Sequence, residues 1–444
     1  MTILIKNGRV IDPSQGINGT CDILVEQGKI KKIVQHVAGS KGHTAKPRGQ
    51  ETQARAEDAQ TTVIDATGRL VMPGLIDMHV HLREPGFEYK ETIKTGTAAA
   101  VRGGVTAVCC MPNTKPVNDN ASITGFILGR AQDEASCAVY PVGAISKGQR
   151  GEELAEIGLM HDAGCIAFSD DGRPVMDSLL MRRALEYSKI LDRLIIAHCE
   201  DLTLAAGGVM NEGLLSVTLG LRGIPPQSED IMVGRDIALA ELTGGKLHIA
   251  HVSTKGSIEL IRAAKKRGLA RITAETCPHY FHITEAAVSD YDTNAKVNPP
   301  LRTQQDVEAV REGLQDGTID VIVTDHAPHH ADEKRGEFDN APFGISGIET
   351  SIGLSMKLVD DRVLTLDELV RKMAFVPAQI LGLKDKGSLR PGSDADIVIL
   401  DTEKEYTVDP EQFLSKGKNT PFQGWLLRAA PVVTIAQGRI YRWD

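Results

Sequence analysis

Residues 75–82 read LIDMHVHL, an apolar run that ends in two histidines separated by a single residue. Residues two apart on a β-strand point to the same side, so a strand here would aim His79 and His81 at one ion. Two histidines at this spacing also occur by chance, and surface or packed histidines are an equal alternative for the pair taken alone. The rest of the sequence must therefore decide between the two interpretations.

Seven further apolar runs of this kind follow, each ending in polar residues or in Gly and Pro. They are VTAVCCMPN (105–113), CAVYPVGAIS (137–146), CIAFSDDG (165–172), LIIAHCE (194–200), LHIAHVS (247–253), ITAETCPH (272–279) and VIVTDHAP (321–328). Segments of helical character, such as MRRALEYSKILD and SIELIRAAKKRG, separate most of them. Alternating strands and helices imply parallel pairing with both sheet faces covered. Eight such units over about 300 residues predict an α/β fold, a (β/α)8 TIM barrel, in which the carboxyl ends of the strands carry the chemistry.

The two ends of the chain have a different pattern. ILIKNGRVID, DILVEQGKIKKIV and TVIDATGRL alternate Val and Ile at period two, and their NG, QG and TG pairs predict hairpins. DADIVILD, YTVD and PVVTIAQGRIYRWD repeat this style near the other end. We therefore expect residues 1–70 and 387–444 to build one small β-sandwich domain, beside a catalytic barrel domain at 71–386. Residues 39–60 have almost no large apolar side chain, which predicts a mobile insertion.

Composition argues against several classes of protein. Hydrophobic residues make up 41% of the chain, enough for a full core without disulfides. The net charge of −9 argues against a nucleic-acid-binding surface. No run of 18 apolar residues and no basic leader followed by an apolar core occur, so neither a membrane span nor secretion is expected. Seven scattered cysteines without a CxxC pair indicate reduced thiols, and a cytoplasmic location is expected.

Metal-ligating side chains end several of the predicted strands. His198 ends strand five, His251 ends strand six, Asp325 ends strand eight, and Asp171 ends strand four directly before a glycine. Together with the HxH pair, four imidazoles and these carboxylates suit zinc or another borderline divalent ion. They suffice for two metals, which a carboxylate would have to bridge. Asp171 is the candidate bridge because it precedes the glycine turn.

Other histidines have more ordinary interpretations. His248 lies three residues before His251 on one strand, so the two side chains should face opposite sides. A hydrogen-bonding role is favoured over ligation for four more: His279, His282, His326 and His330.

Three polar residues near the predicted ligands suit a charged substrate. Arg83 follows His81 by two residues and should face the same side, where its guanidinium would form a bidentate clamp for a carboxylate. A structural ion pair with Glu84 is the alternative. Asn113 and Asn298 each lie near a proline, where they would bind an amide or carboxylate group or only shape their loops.

The chain resembles a known family in several motifs. MPGLIDMHVH (72–81) is similar to the opening of the amidohydrolase superfamily, and LREPGFEYKE (82–91) resembles the long-chain class of the dihydroorotase family. Further matches are MPNT (111–114), SDDG (169–172), NPPLR (298–302), TDHAPH (324–329) and GSLRPGSDAD (387–396). The resemblance covers nearly the whole chain except the region near residues 39–60.

The resemblance implies a metal centre with two zinc ions per subunit, the second site being open to partial occupancy or to another divalent metal. The implied ligands of the first ion are His79, His81 and Asp325. Those of the second ion are His198 and His251, and Asp171 matches the bridging carboxylate. Many relatives use a carboxylated lysine as this bridge, but the present chain has no lysine between Lys147 and Lys189.

The same resemblance implies a set of substrate-binding residues: Arg83, Asn113, Asn298, His329, Pro342, Phe343 and Gly344. The last three lie in a Gly-rich stretch that matches the family's substrate-covering loop.

The implied function is the reversible cyclisation of N-carbamoyl-L-aspartate to dihydroorotate and water, in de novo pyrimidine (UMP) biosynthesis. In the implied mechanism, two metals lower the pKa of a bridging water, and Asp325 acts as general acid and base. The expected partners are this small-molecule substrate and a second copy of the chain in a homodimer, but neither nucleic acid nor membrane. A complex with aspartate transcarbamoylase is a further partner that the resemblance leaves open.

Two alternatives stay open at this point. Allantoinase and dihydropyrimidinase share the metal ligands, but Arg83, the REPG segment and Asp171 in place of a lysine favour the dihydroorotase family. Some chains of that family are inactive companions of aspartate transcarbamoylase and lack metal ligands. Every expected ligand is present here, which argues against a purely structural role.

Overall fold

The computed structural model describes residues 2–36, 61–269 and 271–443, so the insertion predicted at 39–60 lies outside the described residues. The strands are β1 (Thr2–Asp12), β2 (Ile17–Glu26), β3 (Lys29–Gln35), β4 (Thr61–Asp65), β5 (Leu70–Pro73), β6 (Leu75–Val80), β7 (Val105–Cys110), β8 (Ala138–Gly143), β9 (Ala167–Ser169), β10 (Leu194–Ala197), β11 (Met210–Asn211), β12 (Gly223–Ile224), β13 (Lys246–Ile249), β14 (Ile272–Thr276), β15 (Val321–Ile322), β16 (Ile397–Thr407), β17 (Leu426–Ala436) and β18 (Arg439–Arg442). The α-helices are α1 (Ile93–Arg102), α2 (Ala121–Glu134), α3 (Ile157–Ala163), α4 (Ser178–Ile190), α5 (Leu202–Ala205), α6 (Leu214–Leu219), α7 (Gln227–Thr243), α8 (Lys255–Lys266), α9 (Pro278–His282), α10 (Gln304–Gln315), α11 (Ala331–Lys334), α12 (Ser351–Asp360), α13 (Leu366–Val370) and α14 (Val376–Leu381). Within the described ranges, no helix combines the length and apolar character that crossing a membrane would require.

Eight parallel strands form a closed barrel. Their order is β6-β7-β8-β9-β10-β13-β14-β15, and they coincide one by one with the eight apolar runs of the sequence. The two edges meet where Val80 on β6 bridges His326, which follows β15, in parallel register. The backbone N–H of His81 donates to the His326 carbonyl at 2.8 Å across this seam. The predicted (β/α)8 TIM barrel is therefore confirmed.

Local sequence explains where the barrel helices begin and which face they bury. Thr92, Asp177 and Thr254 precede α1, α4 and α8, and each side chain accepts a hydrogen bond from a backbone N–H of the first helical turn. In α8 the buried residues Ile258 and Ile261 lie three apart, so one apolar face covers the sheet. The strands β6 and β7 are buried throughout, as expected for a sheet covered on both sides.

The two chain ends join in a second sheet. Its order is β18-β17-β16-β5-β1-β2-β3, and β4 also pairs with β1. β5 lies parallel to β1 and antiparallel to β16, so the joint between the chain ends is a continuous hydrogen-bonded ladder. A separate apolar core, which includes Ile5, Ile23, Ile397 and Ile435, completes the small β-sandwich. The domain boundaries at 70/71 and 386/387 stay predictions, although the pairing of β5 favours a first boundary after Pro73.

Of the three Gly-containing pairs near the N-terminus that were predicted to form hairpins, one does. The QG pair at 27–28 connects β2 to β3 as predicted. The NG pair at 7–8 instead lies inside β1, at a bulge where the register with β2 shifts. A Cβ at Gly8 would overlap the side chain of Val71, so glycine is required there by close packing and not by a turn. The TG pair at 67–68 connects β4 and β5, which both run parallel to β1.

Candidate active site

The predicted metal ligands meet at the carboxyl end of the barrel strands. The first lies within β6, and the others follow β6, β9, β10, β13 and β15 by one to three residues. All are at least 95% buried: His79, His81, Asp171, His198, His251 and Asp325. The barrel therefore brings together six side chains that are up to 246 positions apart in the sequence.

Two groups of donor atoms share Asp171. One group adds His79 and His81, the other adds His198 and His251, and within each group the donor atoms lie within 4.8 Å of one another. His79 Nε2 lies 3.3 Å from Asp171 Oδ1, and His81 Nε2 lies 3.4 Å from Asp171 Oδ2. His251 Nε2 approaches Oδ1 at 3.4 Å. Asp171 thus lies between the two imidazole pairs, as a bridging carboxylate would.

Both carboxylates of this centre are ionised. Asp325 Oδ1 lies 3.0 Å from His81 Nε2. Burial opposes ionisation, but the hydrogen bond from His81 and the charges of neighbouring imidazoles outweigh it and lower the pKa of Asp325. Burial is likewise outweighed at Asp171, where three imidazoles hold the pKa well below its usual range. The ionised form is the one that binds a metal or accepts a proton.

The donor atoms fit a divalent metal. His79 Nε2 and Asp171 Oδ1 face each other at the centre and are buried without a hydrogen-bond partner. His198 Nδ1 and His251 Nε2 also face each other at only 2.8 Å. A buried polar atom left unpaired costs about 1–3 kcal/mol, so such a cluster needs a further positive centre. Imidazole nitrogens together with carboxylate oxygens are a donor set that zinc uses.

Glu275, on β14, orients His79 by contacting the ring nitrogen that faces away from Asp171. Its Oε1 lies 2.6 Å from His79 Nδ1, and its Oε2 lies 3.0 Å from His248 Nε2. Burial opposes ionisation of Glu275, but the two histidines bring its pKa to about 2. The carboxylate therefore fixes the tautomer of His79 that presents Nε2 to the centre. His248 has a hydrogen-bonding role here, since its Nδ1 also lies 2.7 Å from Thr273 Oγ1.

A cavity of about 170 Å³ opens beside the predicted metal ligands. Six of the seven predicted substrate-binding residues line it: Arg83, Asn113, Asn298, His329, Phe343 and Gly344. The seventh, Pro342, lies outside this lining, and its carbonyl accepts a hydrogen bond from Lys334 Nζ at 2.8 Å.

Arg83 presents a guanidinium without a carboxylate partner among the described residues. Its Nε donates to the carbonyl of Pro328 at 3.2 Å, and burial lowers its pKa. The structural alternative, an ion pair with Glu84, does not occur, because Glu84 pairs with Arg130 at 2.8 Å. A half-buried guanidinium of this kind suits an incoming anion.

Comparison with known proteins places the chain in a family. Residues 68–257 match the family described as dihydro-orotase-like, and residues 342–442 match the amidohydrolase family. The chain is 56% identical to a dihydroorotase from Syntrophus aciditrophicus, over 99% of both chains. The chain belongs to the dihydroorotase family. A dihydroorotase from Geobacter metallireducens is also 56% identical, over 99% of both chains.

Solved structures of other proteins share the fold of this chain. The L-hydantoinase (dihydropyrimidinase) from Arthrobacter aurescens superimposes with a TM-score of 0.85 at 27% identity, over 99% of this chain and 95% of that one. A dihydropyrimidinase from Brevibacillus agri gives a TM-score of 0.83 at 23% identity, with the same coverage. These structures show that a barrel with an attached β-sandwich is the architecture shared with this member of the dihydroorotase family.

The two asparagines are linked to predicted metal ligands, Asn113 directly and Asn298 through Glu200. His81 Nδ1 lies 2.9 Å from Asn113 Oδ1. This contact uses the amide oxygen of Asn113 and not its N–H groups. Asn298 Nδ2 donates to Glu200 Oε2 at 3.0 Å, and Glu200 lies 3.3 Å from His198 Nε2. Sequence reasoning missed Glu200 and Glu275, although Glu200 ends and Glu275 lies inside an apolar run that it had identified.

Three site residues have backbone conformations that are uncommon for their type. Arg83, His251 and Asp325 have φ values of 61°, 33° and 47°. Left-handed backbone at residues other than glycine costs about 1–3 kcal/mol and persists where the surrounding structure holds it. The fold of this dihydroorotase family member therefore forces these side chains toward the cavity.

His329 forms one wall of the cavity as a neutral imidazole. Its Nε2 donates to the carbonyl of Phe343 at 2.8 Å, and its Nδ1 accepts from Lys90 Nζ at 3.3 Å. Burial, together with the charges of Arg83 and Lys90, lowers the pKa of His329. In this structure the ring therefore holds the Phe343 segment in place.

Proposed function

We propose that the chain catalyses the reversible cyclisation of N-carbamoyl-L-aspartate to dihydroorotate and water, in pyrimidine biosynthesis. The observation that carries this proposal is a single cavity holding both a two-group His/Asp centre and the unpaired guanidinium of Arg83. Dihydroorotate offers a cyclic amide for the centre and a carboxylate for the arginine. No other pair of features in the described chain supports a substrate of this chemistry as directly.

The metal centre is proposed to contain two zinc ions. His79, His81 and Asp325 would hold one ion, His198 and His251 the other, and Asp171 would bridge them. When bound, such ions supply Lewis acidity toward the ring carbonyl and lower the pKa of a water molecule. The unpaired donor atoms of the centre support this assignment.

Asp325 is proposed to move the proton. Its pKa is lowered and it lines the cavity, so its carboxylate accepts a proton from the water molecule that attacks the ring carbonyl carbon. As the ring C–N bond breaks, Asp325 passes this proton to the leaving nitrogen. In the direction of ring closure, Asp325 first accepts a proton from the ureido nitrogen, by microscopic reversibility.

The substrate is proposed to be oriented by three side chains. Arg83 pairs with the free carboxylate. Asn113 has its Oδ1 engaged by His81 and so offers N–H groups to the substrate, whereas Asn298 has its Nδ2 engaged by Glu200 and offers its Oδ1. This arrangement supplies orientation and not proton transfer.

The function is tested by turnover and metal content of the purified chain. We expect about two zinc ions per subunit and hydrolysis of dihydroorotate that a chelator abolishes and zinc restores. Dihydrouracil, hydantoin and allantoin, which lack the carboxylate, should be turned over at least about a hundredfold less efficiently. Equal turnover of dihydrouracil would favour dihydropyrimidinase. A chain that neither binds zinc nor turns over dihydroorotate would favour the inactive companion of aspartate transcarbamoylase, and a fully metallated chain without turnover would contradict the proposed function.

A second prediction concerns the carboxylate behind the first ligand. Replacing Glu275 with glutamine should weaken zinc binding by about tenfold to a hundredfold, because an amide cannot accept from both His79 and His248. Competition with a chromogenic chelator measures the affinity. Glu308→Gln is the matched control, since Glu308 is exposed on α10. Unchanged zinc affinity in Glu275→Gln would contradict the orienting role.

Assembly and location are also proposed. Seven free and buried cysteines support a reducing compartment such as the cytoplasm. The homodimer, and a complex with aspartate transcarbamoylase, follow from the family resemblance alone. Sedimentation of the chain, with and without that enzyme, tests both.

A further inference from the structure

A segment of the C-terminal part of the chain lies over the mouth of the barrel. Between β16 and β17 the chain leaves the end sheet, and Phe422 packs with Leu354 of α12 in a small apolar cluster. At Gly417 the segment touches the chain that follows β15, where a Cβ would overlap Pro328. This segment is thus closely fitted to the side of the barrel that carries the candidate active site.

Asn419, in this segment, uses its whole side-chain amide to bind the barrel mouth. It is 97% buried. Its Oδ1 accepts from the backbone N–H of His329 and from Ser346 Oγ, both at 2.9 Å. Its Nδ2 donates to the carbonyls of Ala327 at 3.1 Å and Gly344 at 2.9 Å. The amide therefore joins the end of strand eight to the loop that is expected to cover the substrate.

Three of the four residues that this amide contacts line the cavity. His329 and Gly344 both line it, and the His329 ring donates to the carbonyl of Phe343. Asn419 is not itself among the described residues that line the cavity. An influence of Asn419 on a substrate therefore passes through the partners that line the cavity, which are Ala327, His329 and Gly344.

We propose that Asn419 is a positioning residue that sets substrate affinity by fixing His329 against the covering loop. The inference rests on the proposed function, because it assumes that the cavity binds dihydroorotate. An amide is needed at this position, since two of the contacts require an acceptor and two require a donor. An aspartate of the same shape would instead face the carbonyl oxygens of Ala327 and Gly344 with a carboxylate.

The matched pair Asn419→Asp and Asn340→Asp tests this inference. Asn340 lies two residues before Pro342 of the covering loop, but it is exposed and its side chain donates only to Glu337. For Asn419→Asp, KM for dihydroorotate should rise at least about tenfold, while kcat changes by less than about threefold and zinc content stays unchanged. Asn340→Asp should match the wild type in all three. An unchanged KM, or a loss of kcat and zinc together, would overturn the positioning role.

Trypsin provides a readout that is independent of turnover. Arg335 precedes the covering loop and its side chain is 77% exposed, so release of the loop in Asn419→Asp should speed cleavage there several-fold. Absence of dihydroorotate turnover by the wild type would overturn the proposed function, whereas unaltered cleavage of Asn419→Asp would overturn the inference. If Asn419→Asp fails to fold, Ser346→Ala removes one of the four contacts. Ser346→Ala should raise KM for dihydroorotate by about threefold and speed trypsin cleavage after Arg335. Unchanged values of both would contradict the positioning role of Asn419.

Discussion

Replacing Asp325 with asparagine is expected to lower kcat for dihydroorotate hydrolysis by about a thousandfold, equivalent to ~4 kcal/mol of transition-state stabilisation. The carboxylate lies 3.0 Å from His81 Nε2 and is held in its ionised form. An amide has nearly the same shape but cannot accept the proton. Steady-state kinetics in both reaction directions measure the effect, and both directions should lose rate equally because the same group moves the proton in each.

Asparagine is a better replacement than alanine at this position. The backbone φ of Asp325 is 47°, and asparagine adopts this conformation more readily than most residues, so the strand end should keep its shape. Zinc content must be measured in parallel, because Asp325 is also a proposed ligand. Asp332→Asn is the matched control, since Asp332 lies on α11 and is exposed. A variant that retains zinc and near-normal kcat would contradict the proton-transfer role.

Replacing Arg83 with methionine is expected to raise KM for dihydroorotate by about tenfold to a hundredfold, with a smaller change in kcat. The estimate follows from a charge-assisted hydrogen bond of about 1.5–3 kcal/mol that is lost with the guanidinium. The same substitution should leave the weak turnover of dihydrouracil unchanged, because that ring has no carboxylate to bind. Selectivity between the two substrates should therefore collapse.

Two further variants sharpen the test of Arg83. Arg83→Lys keeps the charge but loses the planar fork, so it should recover only part of the affinity. Arg173→Gln is the matched control, because Arg173 is exposed on the turn that follows Asp171. If Arg83→Met bound dihydroorotate as tightly as the wild type, the carboxylate would have to be recognised elsewhere in the cavity.

The sequence was sufficient to predict the barrel and the proposed ligand positions. Each barrel strand is a continuous apolar run because both of its faces are covered, and such runs stand out without any tertiary information. The predicted metal ligands lie near the carboxyl ends of these runs, so their positions at the strand ends could be predicted from the pattern alone. The NG pair at 7–8 shows the limit of local signals, because the same dipeptide suits a hairpin or a bulge.

The residues that sequence reasoning missed act on other side chains. Glu275 and Glu200 face histidines, and their roles depend on which imidazole lies opposite on a neighbouring strand. A sequence motif does not contain that information. Glu200 ends an apolar run and Glu275 lies one residue before the end of β14, so treating every polar residue near a strand end as part of the site would have included both as candidates.

The sequence by itself determined the barrel, the shared sandwich of the chain ends and the types of side chain offered to a metal. These depend on hydrophobic period and residue chemistry, which are local properties. Only the tertiary structure decided that Asp171 lies between two imidazole pairs, that Arg83 has no carboxylate partner among the described residues, and that Asn419 joins strand eight to the covering loop. Those relations are distances between residues far apart in the chain, and closure of the barrel with docking of the segment between β16 and β17 sets them.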